Sequence, residues 1–235
     1  MPENKSARAD RILDAAADLL LRWGYRRVTI DEVAKRAGVG KGTVYLHWRS
    51  REALLMAVLL RESVGMFTAV AEHVRRDPDQ VRLSALMSAL YLESSARPLV
   101  LALYTKDTET LGTLVQTSSG TQVQGVKLVT FEEYYHLLRE HGLLRADVSN
   151  DEVSYACAAV LFGFFTMSQL APAEFAQPRE QEAGMLAGVL RARFEPPRPS
   201  KRAAEALAPK IVSLLEDLAT QYHELIYRPD ISEGG

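Results

Sequence analysis

Cysteine is almost absent: Cys157 is the one thiol in 235 residues, which rules out a disulfide within the chain and a cysteine-based zinc site. Its neighbours, "YACAAVLFG", are apolar, so a buried packing thiol is expected rather than a reactive nucleophile. Long apolar runs are missing too. "ALLMAVLL" (53–60) and "ACAAVLFGFF" (156–165) fall short of the roughly 20 residues that cross a bilayer, so no membrane partner is expected. The first residues, "MPENKSARADR", contain no apolar h-region, and a cytoplasmic location is expected, in keeping with the lone thiol. Sustained apolar/polar alternation, the mark of half-buried strands, is not found. What is present, 47% hydrophobic residues, suffices for a core, and they recur at helical spacing. The expected class is all-α.

The net charge of −2 conceals an uneven distribution. Residues 1–55 hold 11 Lys/Arg against 7 Asp/Glu, and the remainder 17 against 23. A basic head on an acidic body suggests that the head alone meets a polyanion.

In the head, Ile12, Ala16, Leu19 and Trp23 recur at i, i+4, i+7 and i+11 and share one face of a first helix, which Gly24 ends in the manner of a C-cap. "TIDEVAKRAG" opens with Thr29 three residues before Glu32, a capping-box spacing that starts a second helix. Val33, Ala34 and Ala37 supply its inward face, and Gly38 stops it at a position suited to positive φ. The turn Gly38-Val39-Gly40 and a further short helix, Lys41 to Trp48, complete a helix-turn-helix.

Glycines, a lysine and a threonine packed into Gly38–Thr43 also raise the question of a phosphate cradle. The phosphate-loop spacing would require glycine at Lys35 and Ser or Thr at Gly42, and a strand before the loop where a helix is expected. The dinucleotide fingerprint would require glycine at Thr43. Both patterns fail.

The run from Arg11 to Leu59, "RILDAAADLLLRWGYRRVTIDEVAKRAGVGKGTVYLHWRSREALLMAVL", resembles the N-terminal DNA-binding domain of the tetracycline-repressor (TetR) family of transcriptional regulators. The likeness covers about a fifth of the chain and rests on the capping threonine, "AGV", "KGT-Y-HW" and "REAL" in order and spacing. It implies that Lys41, Thr43, Tyr45 and His47 contact DNA, the last two mainly at phosphate. It also implies that Gly42 admits a close backbone approach, that Thr29 caps its helix while facing a phosphate, and that Arg51 stands like the family's phosphate-binding lysine. Two positions depart from the family. Gly40 occupies the place of a capping Ser or Thr, and Leu46 that of a second tyrosine, where core packing and an apolar contact to a thymine methyl are both open. From spacing alone, Val44 and Trp48 are the inward pair.

Beyond the head, Ser50 caps a helix running to about Arg76, closed by Asp77-Pro78. Further helices are expected near 79–95, 97–110, 122–141 (stopped by Gly142), 150–170 (capped by Ser149 or Asn150), 179–194 and 201–227. The 150–170 helix is apolar on nearly all sides, which calls for burial of both faces, and Ala156, Ala159 and Gly163 leave room for a neighbour. The resemblance implies that it pairs with the 179–194 helix and their symmetry mates in a homodimer. "FEPPRPSK" introduces a C-terminal extension whose Leu207, Ile211, Leu214, Leu218 and Leu225 have a/d-like spacing, able to pack on its own chain or extend the dimer seam. The organisation read here is residues 1–49 as the reading head, 50–198 as the ligand-binding and dimerisation body and 199–235 as the extension.

The resemblance also implies a ligand pocket in the body. Bulky candidates to line it are Met66, Phe67, Tyr91, Tyr104, Phe131, Tyr135, Phe162 and Phe165, each of which fills a core equally well. Glu132, His136 and Glu140 share a face at metal-ligand spacing, but a solvated face accounts for them; no metal and no cofactor are expected. The functional expectation is a dimeric, non-enzymatic regulator, a repressor released from a palindromic operator in double-stranded DNA by an unidentified small-molecule effector. The alternative is control by a protein partner through the C-terminal domain.

Overall fold

The computed structural model describes residues 5–105 and 118–227. Among them there are ten α-helices and no strand: α1 (Lys5–Trp23), α2 (Ile30–Ala37), α3 (Lys41–His47), α4 (Arg51–Arg76), α5 (Leu83–Ser95), α6 (Pro98–Thr105), α7 (Ser118–Glu140), α8 (Asn150–Leu170), α9 (Arg179–Phe194) and α10 (Lys201–Ile226). Single 3-10 turns stand at Pro78–Val81 and Ala173–Phe175. The helix expected from 79 therefore starts later, because Asp77 and Pro78 first close a tight turn in which the Asp77 carboxylate accepts from the Asp79 N–H at 3.0 Å. The gap expected between the helices near 97–110 and 122–141 lies partly outside the described residues, and α7 already begins at Ser118.

The residues form two compact units. One takes in the head through Val64, with the described parts of 98–125 and 220–235; the other takes in Gly65–Arg97 and Val126–Ala219. In the first, α1 packs on α2 and α2 on α3. Ile12, Ala16 and Leu19 are buried as the spacing predicts, whereas Trp23 is 41% exposed. Trp23 is the last residue of α1 and Gly24 turns the chain away with φ 71°, so no neighbouring turn covers the indole. Arg61 Nη1 holds Asp14 at 2.8 Å and the Asp10 carbonyl at 3.3 Å, fastening α4 to α1 outside the apolar layer.

The end of α10 is part of this unit. The Trp48 indole N–H donates to the Ile226 carbonyl at 2.9 Å in a buried hydrogen bond, and the Tyr227 hydroxyl donates to Asp10 at 2.7 Å. Along α10, Leu207, Ile211, Leu215, Leu218, Tyr222, Leu225 and Ile226 are all buried. The extension thus packs on its own chain. Its helix continues through Pro209, whose missing N–H leaves one turn without its hydrogen bond.

In the second unit α9 lies chiefly along α5, and both meet α8. Glu195, directly after α9, is buried and accepts from the Ser84 N–H at 2.7 Å, satisfying a donor at the N-terminus of α5 and placing negative charge where the helix dipole favours it. Ser149 begins α8 with a complete capping box: its hydroxyl accepts from the Glu152 N–H at 3.1 Å, and the Glu152 carboxylate accepts from the Ser149 N–H at 2.8 Å. Cys157 is buried, and burial pushes its thiol up to about 12, so at neutral pH it is a protonated packing group.

Trp48→Phe leaves the Ile226 carbonyl without its buried donor. The expected cost is about 1–3 kcal/mol, read as a lower denaturant midpoint; an unchanged midpoint would show that the bond adds nothing to the head.

Candidate nucleic-acid interface

The recognition helix α3 has seven residues, far too few to be stable alone, so its placement depends on what surrounds it. The turn before it is fixed by Gly38, at φ 66° and ψ 37°. Its N–H reaches the Lys35 carbonyl at 3.3 Å and the Val39 N–H reaches that of Ala34 at 3.0 Å, the pair of bonds that ends a helix through a left-handed residue. A side chain at Gly38 would meet no neighbour but would be strained by that φ. Arg11 Nε adds a bond to the Ala37 carbonyl at 2.9 Å. At the start of α2 the Thr29 hydroxyl accepts from the Glu32 N–H at 3.3 Å.

Behind α3, Val44 and Trp48 are fully buried. This inward pair fixes the rotation of the helix, and the remaining side chains follow. Lys41 and Gly42 are exposed, Tyr45 is 43% and Leu46 78% exposed, and Thr43 and His47 are half-buried, with His47 tilted against Trp48 at a centroid distance of 5.4 Å. Leu46, open between core and surface in the sequence, is a surface residue. Thr29, Gly40, Lys41, Gly42, Thr43, Tyr45, Leu46 and His47 thus stand on α3 or at the start of the helix before it.

Arg51 is placed differently. Its Nε donates to the Val28 carbonyl at 2.5 Å, its Nη1 to Glu52 at 3.1 Å, and its guanidinium lies 4.0 Å from the centre of the Tyr25 ring. It buttresses the loop leading to Thr29, and any phosphate contact competes with these partners. Sequence reasoning also missed Asp31, whose carboxylate accepts from Lys41 Nζ at 2.8 Å. That hydrogen bond, and then the charge of Asp31, raises the lysine's pKa. Nothing in the spacing of α2 and α3 announces this contact, because the intervening turn sets it.

Gly42 has no reason for being glycine within the protein. It is the second residue of α3, and a Cβ there would meet nothing within 4 Å, although alanine is the better helix former. The close backbone approach that the family resemblance implies at this position would be a reason from outside the protein.

The family described as "Bacterial regulatory proteins, tetR family" matches residues 12–58, which contain α2, the Gly38 turn and α3. Residues 12–58 are thus a TetR-type helix-turn-helix head. The fatty acid metabolism regulator protein of Bacillus subtilis (strain 168) is 37% identical over 57 residues, which are 24% of this chain and 29% of that one. The transcriptional activator FasR of Mycolicibacterium smegmatis is 33% identical over 88 residues, 37% of this chain and 40% of the other. The chain therefore spans less than half the length of these curated relatives. The solved structure of SmeT, repressor of the multidrug efflux pump SmeDEF of Stenotrophomonas maltophilia, has a TM-score of 0.61 at 20% identity, over 85% of this chain and 97% of that one. The fatty acid degradation regulator FadR of Bacillus halodurans gives 0.51 at 16% identity, over 77% and 96%. These two extend the likeness in fold to the helical body. TetR relatives are regulators rather than enzymes, which leaves the phosphate-cradle reading of Gly38–Thr43 without support.

The expected pocket residues divide. Met66, Phe67, Tyr91, Tyr135 and Phe165 are buried, and Phe131 is half-buried, its ring 6.3 Å from that of Tyr135. Tyr91 stacks on Phe165 at 4.9 Å, and its hydroxyl donates to Glu182 at 2.6 Å and accepts from Arg179 at 3.1 Å. Burial pushes the Tyr91 hydroxyl up, with the Glu182 bond acting in the same direction. Phe162 departs from the expectation: it is 47% exposed, because the inward face of α8 is carried by Val153, Cys157 and Phe165. The Tyr104 side chain lies outside the described residues. Tyr134, not singled out in the sequence, is buried beside Tyr135 and donates to the Val81 carbonyl at 2.9 Å. His136 pairs with Glu140 at 3.2 Å on an exposed face.

Gly42→Ala separates the two demands on that position. It is expected to leave the head as stable or to stabilise it by less than about 1 kcal/mol in thermal or denaturant unfolding while weakening DNA binding; equal binding by the alanine variant would remove the close-approach argument.

Proposed function

We propose that the chain is a dimeric, sequence-specific DNA-binding regulator of transcription, a repressor released from a palindromic operator by a small molecule. The observation that carries this reading is the division of α3 into a buried Val44/Trp48 side and an exposed side bearing Lys41, Gly42, Tyr45 and Leu46. On a helix-turn-helix the exposed side lies in the major groove, with its N-terminal residues nearest the base edges and its flanks on phosphate. In this assignment Lys41 and Thr43 read bases, Leu46 meets a thymine methyl, Tyr45 and His47 hold phosphates, and the Thr29 hydroxyl keeps its cap while facing the backbone. Gly40 and Gly42 let the chain approach the duplex.

Support for a homodimer comes from α8 and α9. Both helices are long or apolar enough to need cover, yet Tyr155 is 80%, Leu170 75%, Met167 59%, Phe162 47%, Val189 51% and Met185 45% exposed. The same face holds Ala158, Ala159, Gly184 and Gly188, small enough for helices to approach closely. By length and composition α8, like α4, could reach across a bilayer; α4 is largely buried, and a second copy covering α8 is the occupant that suits a two-fold reader. Two recognition helices about 34–36 Å apart meet successive major grooves and read a palindrome.

For the effector, the aromatic side chains Tyr91, Phe165, Phe131 and Tyr135 of the body, with Met66 and Phe67 on α4, are the assigned recognition region. Because α4 carries Met66 and Phe67 and starts directly after the head, a ligand that prefers one position of α4 biases the recognition helices. DNA then opposes ligand by the same coupling free energy. The names of relatives give no support to control by a protein partner.

The test is selection of bound duplexes from a random pool by the purified protein at two salt concentrations, since phosphate contacts make affinity salt-dependent. A palindrome is expected; salt-sensitive binding without an enriched sequence would overturn base reading. Lys41→Ala and Tyr45→Ala should each weaken operator binding by about 1–3 kcal/mol and leave the dimer intact in analytical ultracentrifugation. Phe162→Glu should give monomers that no longer select a palindrome; a stable dimer in that variant would remove α8 from the interface.

A further inference from the structure

The first side chain of the recognition helix already has an acidic partner. Lys41 Nζ and Asp31 Oδ2 stand 2.8 Å apart, with side chains 50% and 66% exposed, so the pair is presented to solvent at the edge of the reading face. Asp31 is in the first turn of α2 and Lys41 is the first residue of α3, and the Gly38 turn brings the two helix N-termini to this spacing. A carboxylate beside the helix dipole stabilises α2, yet Glu32 in the same turn already serves that purpose. A carboxylate at a phosphate-facing surface opposes binding to DNA of any sequence.

We propose that Asp31 is a specificity-determining residue, acting with Lys41 as a joint reader of one G·C pair in each half-site while withholding the lysine from phosphate. This rests on the DNA-binding reading given above. The major-groove edge of G·C presents guanine N7 and O6, both acceptors, followed by the cytosine N4 amino donor. An ammonium beside a carboxylate offers the matching order: Lys41 donates to N7 and O6, and Asp31 accepts from N4. An A·T pair places its amino donor between two acceptors, which breaks the order. On unselected DNA the ammonium remains neutralised by Asp31, so it displaces few counterions and adds little to non-specific affinity.

The experiment measures binding of the full-length protein, Asp31→Asn, Lys41→Ala and the double variant to the selected operator and to a scrambled duplex of equal length, over a salt series. Circular dichroism and thermal melting check that each is folded, and Asp31→Ser carries the same expectation if Asp31→Asn is not. Asp31→Asn should bind the scrambled duplex more tightly, its log K against log salt slope steepening by about 0.9 for each additional phosphate neutralised. The operator-to-scrambled ratio should fall by roughly tenfold, the order of one lost base-pair contact. In the Lys41→Ala background the Asp31 change should lower the ratio by clearly less than it does in the wild type, because the lysine half of the joint contact is already gone. An unchanged ratio in folded Asp31→Asn, or an equal fall without Lys41, overturns the proposal alone. A wild-type protein that binds no DNA overturns the regulator reading and this inference with it.

Discussion

The reading face depends on the burial of two side chains, Val44 and Trp48. A helix of seven residues makes too few internal hydrogen bonds to offset its nucleation, so the apolar contacts behind it decide both whether it forms and which way it faces. Trp48 does more than fill space. Its indole nitrogen is a buried donor whose acceptor, the Ile226 carbonyl, comes from the far end of the chain, and a buried donor left unpaired would cost more than the bond itself contributes. The last helix is thereby part of what holds the recognition helix in position.

Around that anchor, charge is used locally rather than in bulk. Arg11 closes the end of α2, Arg61 fastens α1 to α4, and Arg51 supports the loop before Thr29 from below. Arg11 and Arg51, two of the basic residues that make the head positive, are therefore structural. The head's surface carries less uncompensated positive charge than the count of Lys and Arg suggests, and Lys41 is shared with Asp31. A basic head does not by itself make a non-specific binder.

The body shows the opposite economy. Its polar groups are satisfied inside, as with Glu195 on the α5 N-terminus and Tyr91 with Glu182 and Arg179, while large apolar side chains on α8 and α9 stand in solvent. A chain that buries Glu195 yet exposes Tyr155 and Leu170 satisfies its polar groups internally while leaving much of its apolar surplus on the surface of α8 and α9.

The sequence by itself determined the class, the positions of most helices and the inward pair of α3. Helical periodicity, the Ser50 and Ser149 caps and the Gly24, Gly38 and Gly142 stops are local signals, set by backbone sterics and by hydrogen bonds within a few residues. It also placed Lys41, Thr43, Tyr45 and His47 on one helix, since 3.6 residues per turn leaves little choice once Val44 and Trp48 point inward. Only the tertiary structure decided the rest. Trp23 and Phe162 sit on apolar-looking faces but are uncovered, because burial depends on which neighbour arrives. The pairing of Asp31 with Lys41 is set by the turn between two helices, and the docking of Ile226 on Trp48 joins residues 178 apart in sequence, a separation across which no local periodicity carries information.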